Sequence, residues 1–261
     1  MNVAGSLLGV ARMKVYAIAL LVILVSMGCL TARPPRIAEP TPNFSWEPPS
    51  KEPSSGMSIS LVNPALSSES KLGSYNQNKY FEMFMRSLQG DLERTLLAKG
   101  FTVKGPFRSL DDMTYPEKKA APLTLFPEVV LVLNESYTLN VDVAEDHGLL
   151  GRTRSVRRQG TVAASGLVKF TIVEPMSVQK IWLKKVDLPQ ATSTIDVDLF
   201  MDETGRLNQF HDNRDNSDAA VIDVLNRAYP EIMQKFWSYL NGEEIAAMRR
   251  SADEVRARKV Y

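Results

Sequence analysis

Cys29 is the one thiol in 261 residues, and His147 and His211 are the only imidazoles. A structural zinc site takes four Cys or His ligands, and a lone cysteine cannot close an internal disulfide. Metal and thiol chemistry therefore have almost no raw material. Ser165-Gly166 lacks the flanking glycines of a nucleophile elbow, and there is no glycine-rich phosphate loop. The run from Asp212 to Asp218 spaces oxygen ligands closely. It has no glycine at its sixth position, and Asp223 stands at the twelfth where a calcium loop needs glutamate, so a loop leading into a helix cap is the better reading. No enzyme, metal or cofactor is expected. What remains is the basic cluster Arg152, Arg154, Arg157 and Arg158. Guanidinium forks match carboxylates and phosphates, so an anionic sugar is a chemically reasonable ligand, with Tyr137 or Trp182 as its aromatic platform. The same charges would equally serve a solvated hairpin tip that deters edge pairing.

The composition carries no opposing signal. Thirty-one Lys and Arg against 30 Asp and Glu give a formal charge of +1, without the cation surplus of a nucleic-acid binder. With 44% apolar and 23% charged residues the chain reads as an ordinary globular protein.

The position of Cys29 gives it a role. Arg12 and Lys14 precede an apolar run of 11 residues, Val15 to Val25, and then come Ser26-Met27-Gly28-Cys29. A membrane-spanning helix needs about 20 apolar residues, whereas a positive start, a short apolar stretch and a small residue before the cut mark a processed signal. The segment resembles a bacterial lipoprotein signal, which implies removal of residues 1–28 and acylation of the Cys29 thiol. Leucine at position 30, in place of an aspartate, points to the cell outer membrane. Two or more acyl chains give stable anchoring where one does not, so outer-membrane lipid is the expected partner. Processing would leave 29 basic and 30 acidic residues, and electrostatics would add little to the anchor.

Residues 29–56 read as a lipidated, proline-rich tether, with seven of the chain's 15 prolines between Arg33 and Pro53. Such a stretch favours polyproline II over helix or sheet. Phe44 and Trp46 are unusual in a solvated linker and are expected to pack back on the domain. Residues 57–242 read as one α+β domain, a mostly antiparallel sheet packed against two long amphipathic helices behind the flexible N-terminal tether. Its elements are a strand from Met57, a helix over 76–99 carrying Phe81, Phe84, Met85, Leu88, Leu92 and Leu96, and a strand over 101–107. Strands over 128–143, 161–174 and 178–188 follow, with Asp146-His147-Gly148 as a turn and 190–216 as a polar loop. A second helix opens at Ser217 or Asp218, with a kink or break expected at Pro230. Residues 243–261 alternate in charge and read as a solvated terminal helix.

Two stretches, Leu167 to Ser177 (LVKFTIVEPMS) and Asp215 to Gln234 (DNSDAAVIDVLNRAYPEIMQ), resemble the matching parts of the neuraminyllactose-binding hemagglutinin lipoproteins of helicobacters and their relatives. The resemblance implies an outer-membrane or flagellar-sheath lipoprotein, adhesin-like, recognising sialylated glycans. The family's basic heptapeptide KRTIQKK is absent here, and RTRSVRR at Arg152 to Arg158 is similar in charge and approximate location without matching it residue by residue. The expected function is thus a lipid-anchored surface lipoprotein with a sialylated glycan as partner. The alternative is a periplasm-facing envelope accessory or assembly factor acting on an envelope protein.

Overall fold

The computed structural model describes residues 41–73, 79–142, 154–201, 207–209 and 217–258. The first helix among the described residues, α1 (Lys79–Ala98), buries Tyr80, Phe81, Phe84, Leu88, Asp91, Leu92, Thr95 and Leu96, the stripe that helical spacing dictates. Met83 and Leu97 lie outside this stripe and are exposed. Gly100 ends the helix at φ +80°, where a Cβ would come within 2.1 Å of the Pro53 carbonyl oxygen.

The sheet is antiparallel over most of its length, as expected, but its first strands pair in parallel and make it mixed. Strand β1 (Ser58–Val62) lies between β3 (Thr102–Phe107) and β4 (Leu123–Asp142) and runs parallel to both, with Ile59 opposite Val103 on one side and Leu123 on the other. A short β2 (Ala65–Leu66) extends the β4 edge, also in parallel. Parallel pairing needs a crossover, supplied here by α1 and by the connection containing α2 (Tyr115–Ala120). The rest is antiparallel. Strand β5 (Arg154–Glu174) pairs with β4 from Val173–Thr124 to Ser155–Asp142. Its other edge is shared end to end by β6 (Gln179–Asp187) and β7 (Ala191–Met201), and β7 carries β8 (Leu207–Gln209). Between β6 and β7, the Leu188 amide donates to the Gly166 carbonyl at 2.9 Å. A Cβ on Gly166 would come within 2.0 Å of the Val130 oxygen, so only glycine fits there.

Segment 191–201 was expected as loop and is strand. Alternation is present at Ile195, Val197, Leu199 and Met201, diluted by threonine and aspartate on the other face. The helical layer also differs from the expected pair, because among the described residues three long helices cover one face: α1, α3 (Ser217–Tyr239) and α4 (Gly242–Arg258). Helix α3 continues unbroken through Pro230. That residue is exposed, so the Asn226 carbonyl it leaves without an intrahelical donor is within reach of water. Under the layer lie Leu123, Leu125, Val129 and Leu131 of β4 and Val168, Phe170 and Ile172 of β5, with the Phe170 and Phe236 rings 4.4 Å apart. The opposite face is more polar at its centre, where Lys169 Nζ lies 3.4 Å from Glu69 and 3.5 Å from Glu128.

Helix α4 is not a solvated appendage. Ile245, Met248, Ala252 and Val255, spaced three and four apart, are buried beneath its charged surface. Glu244 accepts from Trp182 Nε1 at 2.8 Å and Lys184 Nζ at 2.7 Å. Arg256 donates to the Lys118, Lys119 and Ala121 carbonyls and to the buried Glu174 carboxylate. The Lys184 hydrogen bond, opposed by desolvation and assisted by Trp182, holds the Glu244 carboxyl below the ordinary value of 4.5. A depressed carboxylate stabilises the fold above its unfolded value and loses that contribution as pH falls through the lower folded one. Glu244→Gln is therefore expected to lower the neutral-pH unfolding free energy, read from urea titration, by about 0.5–1 kcal/mol. The gap to the parent should close below pH 4.5, and a pH-independent gap would contradict this origin.

Candidate functional site

Three strands continue past the helical layer as an arm. On β4 the alternation that buries Leu131 and Leu133 goes on to Glu135, Tyr137 and Leu139, which share that face. Leu133 is 8% exposed, whereas Tyr137 and Leu139 are 49% and 46% exposed, so the stripe emerges from under its cover. Cross-strand register sets the opposing residues: Val162 faces Glu135, Gly160 faces Tyr137 and Arg158 faces Leu139.

Arg158 reaches back diagonally to Tyr137, with its guanidinium carbon 5.2 Å from the ring centroid. Its Nη1 is 3.9 Å from Glu135 Oε2, a loose ion pair beyond hydrogen-bond length. The side chain is only 17% exposed, and Nε is buried without an acceptor. Gly160 makes the arrangement fit, since a Cβ there would lie 2.1 Å from the Ser136 oxygen and 2.6 Å from Tyr137 Cα. Chemically, this is an exposed aromatic face next to a cation. The ring offers a surface for the apolar face of a sugar, and the guanidinium offers paired donors for a carboxylate.

Arg157 and Arg158 do not converge. Arg157 and Arg158 are neighbours on a strand and project to opposite faces. Arg157 is exposed on the second face. It stands opposite Asn140 and Asp198 in register. On that face, the Asn140 amide donates to Gln159 Oε1 at 3.2 Å. Arg154 is paired in β5 opposite Met201, and Arg152 lies outside the described residues. Arg157 and Arg158 occupy the body of a strand bonded on both edges, not a hairpin tip, whereas Arg154 begins that strand. Trp182 is buried against Glu244 and takes no part. Cys29, His147, His211 and residues 212–216 lie outside the described residues. Among the described residues, no group of three or more His, Cys, Asp or Glu is placed to hold a metal ion, and no helix is long and apolar enough to cross a membrane.

The family model described as neuraminyllactose-binding hemagglutinin precursor matches residues 43–259. The chain belongs to this family. Among curated members of the neuraminyllactose-binding hemagglutinin family, those of two Helicobacter pylori strains are each 25% identical to it over 209 residues, 77% of either chain. A crystal structure of a Helicobacter pylori homolog of that hemagglutinin superposes with a TM-score of 0.59 at 18% identity. It covers 82% of this chain and 98% of its own, and shares the fold. The names of these family members describe a binding protein.

Proposed function

We propose that the protein is a lipid-anchored lipoprotein of the cell outer membrane, acylated at Cys29, whose arm is an adhesin-like surface for sialylated glycans. Arg158 donates to the glycan carboxylate, and Tyr137 carries the sugar ring. Arg157, on the second face, adds positive charge to the arm without joining that contact. The reading is supported by one observation above all: in a member of a hemagglutinin family, the register of β4 and β5 sets a guanidinium beside an exposed tyrosine ring.

The test is binding of sialyllactose by the intact protein, with lactose as control. A charge-assisted hydrogen bond contributes about 1.5–3 kcal/mol, so Arg158→Ala should weaken binding by about tenfold to a hundredfold. Tyr137→Ala should also weaken it, and Arg157→Ala should change it less than about threefold. Unaltered sialyllactose affinity in a folded Arg158→Ala protein would discard the site.

A further inference from the structure

From Asn43 to Ser55, part of the expected flexible tether, the chain is instead bound to the helical layer. The Asn43 amide donates to Asn226 Oδ1 of α3 at 2.8 Å. Phe44 is 8% exposed, with its ring 5.4 Å from Phe84 of α1 and 5.8 Å from Tyr229 of α3. The Trp46 amide donates to Asp91 Oδ2 at 2.9 Å, an oxygen that also accepts the Tyr229 hydroxyl at 2.7 Å. Arg94 bonds the other oxygen of Asp91 and reaches Glu47 at 2.7 Å. Further along, Glu52 pairs at 2.6 Å with Lys99, which is nearly buried and lies 3.7 Å from the centre of the Trp237 ring. The Glu52 and Ser55 amides donate to the Ala98 and Gly100 carbonyls.

Pro48, Pro49 and Pro53 interrupt this segment. Each lacks an amide donor, so the strap cannot build a continuous ladder. Its contacts are isolated and follow one another from Asn43 to Ser55. Next in the chain is β1, bonded on both edges to β3 and β4, which can leave only by breaking two ladders together.

From these contrasts we propose that residues Asn43 to Ser55 are a tension-released latch. Load from the membrane side peels the strap from α1 and α3 contact by contact, lengthening the connection while the sheet stays folded. The strap follows α1 from the level of Phe84 to that of Gly100, about 24 Å at 1.5 Å per residue. Its thirteen residues, extended, span about 45 Å, so release adds about 20 Å. The origin of the load rests on the lipid-anchored reading, whereas the latch itself does not.

The experiment pulls the mature chain, with Cys29→Ser, between handles at Thr41→Cys and Val178→Cys in magnetic tweezers. The second handle sits on an exposed residue of the β5–β6 turn. The expected record is a reversible extension of about 20 Å at low force, then a separate unfolding event at higher force. Once the strap is off, its side chains no longer contribute. Phe44→Ala and, separately, Glu52→Ala should therefore lower the first force and leave the second unchanged. If Phe44→Ala fails to fold, Glu52→Ala decides alone. A single all-or-none extension, a first step that neither variant moves, or an equal drop in both forces would overturn the latch. None of these outcomes depends on acylation, since the handle replaces the lipid, and an unmodified Cys29 in cells would remove the anchor without touching this result.

Discussion

Leu88→Asp is expected to unfold the domain at room temperature. Leu88 is fully buried in α1, one turn from Phe84 and Leu92, which are buried with it. The substitution loses about 1.5–3 kcal/mol of apolar burial. It also buries a carboxyl with no partner, at about 2–7 kcal/mol even when that group stays protonated. The sum rivals the 5–15 kcal/mol that holds a typical domain together. Circular dichroism should show lost tertiary signal, or a urea midpoint collapsed toward zero. Leu97→Asp is the internal control. It sits on the same helix but 47% exposed, where surface substitutions stay within about 0.5 kcal/mol. Equal midpoints for the two variants would mean that the buried face of α1 is misassigned.

The second large effect concerns location. Cys29→Ala is expected to abolish acyl labelling and shift the protein from the membrane fraction to the soluble one. Each buried methylene contributes about 0.8 kcal/mol, and stable attachment needs at least two chains. The measurement is fractionation with mass spectrometry of the N-terminus. A variant that remains in the membrane fraction, or a parent chain whose residue 29 carries a bare thiol, would defeat the lipid reading.

Much of the fold was legible where local pattern and tertiary role coincide. The spacing of Phe81, Phe84, Leu88, Leu92 and Leu96 announces α1 because the same face that makes a helix amphipathic is the face the sheet covers. The parallel partners of β1 were not legible. Leu123 is 64 positions from Ile59, and nothing local distinguishes a strand that pairs in parallel from one that does not. Strand β7 was not legible because threonine and aspartate alternate with its apolar residues and outweigh a sound period of two when judged by polarity. Helix α4 was misread for the reverse reason. Four small or medium apolar residues in seventeen suffice to seat it, yet charge dominates its composition.

The candidate site was half visible. An arginine cluster and a nearby tyrosine can be read from residue types alone. Which arginine meets the ring depends on the pairing of Leu139 with Arg158 and Tyr137 with Gly160, and a shift of one residue would exchange Arg158 for Arg157. Register is a property of two strands, and neither strand states it alone.

The shared edge of β5 has an evolutionary consequence. Strand β6 flanks one half of β5 and β7 the other; β7 enters the core at Ala191 and Ile195, and only its far end runs on beyond them. Growth or trimming at the far end therefore leaves the hydrophobic interior as it was. Because sides alternate residue by residue, such changes keep the same chemistry facing the same way only in steps of two residues per strand. Descendants of one ancestor can thus diversify in reach while inheriting an unaltered body.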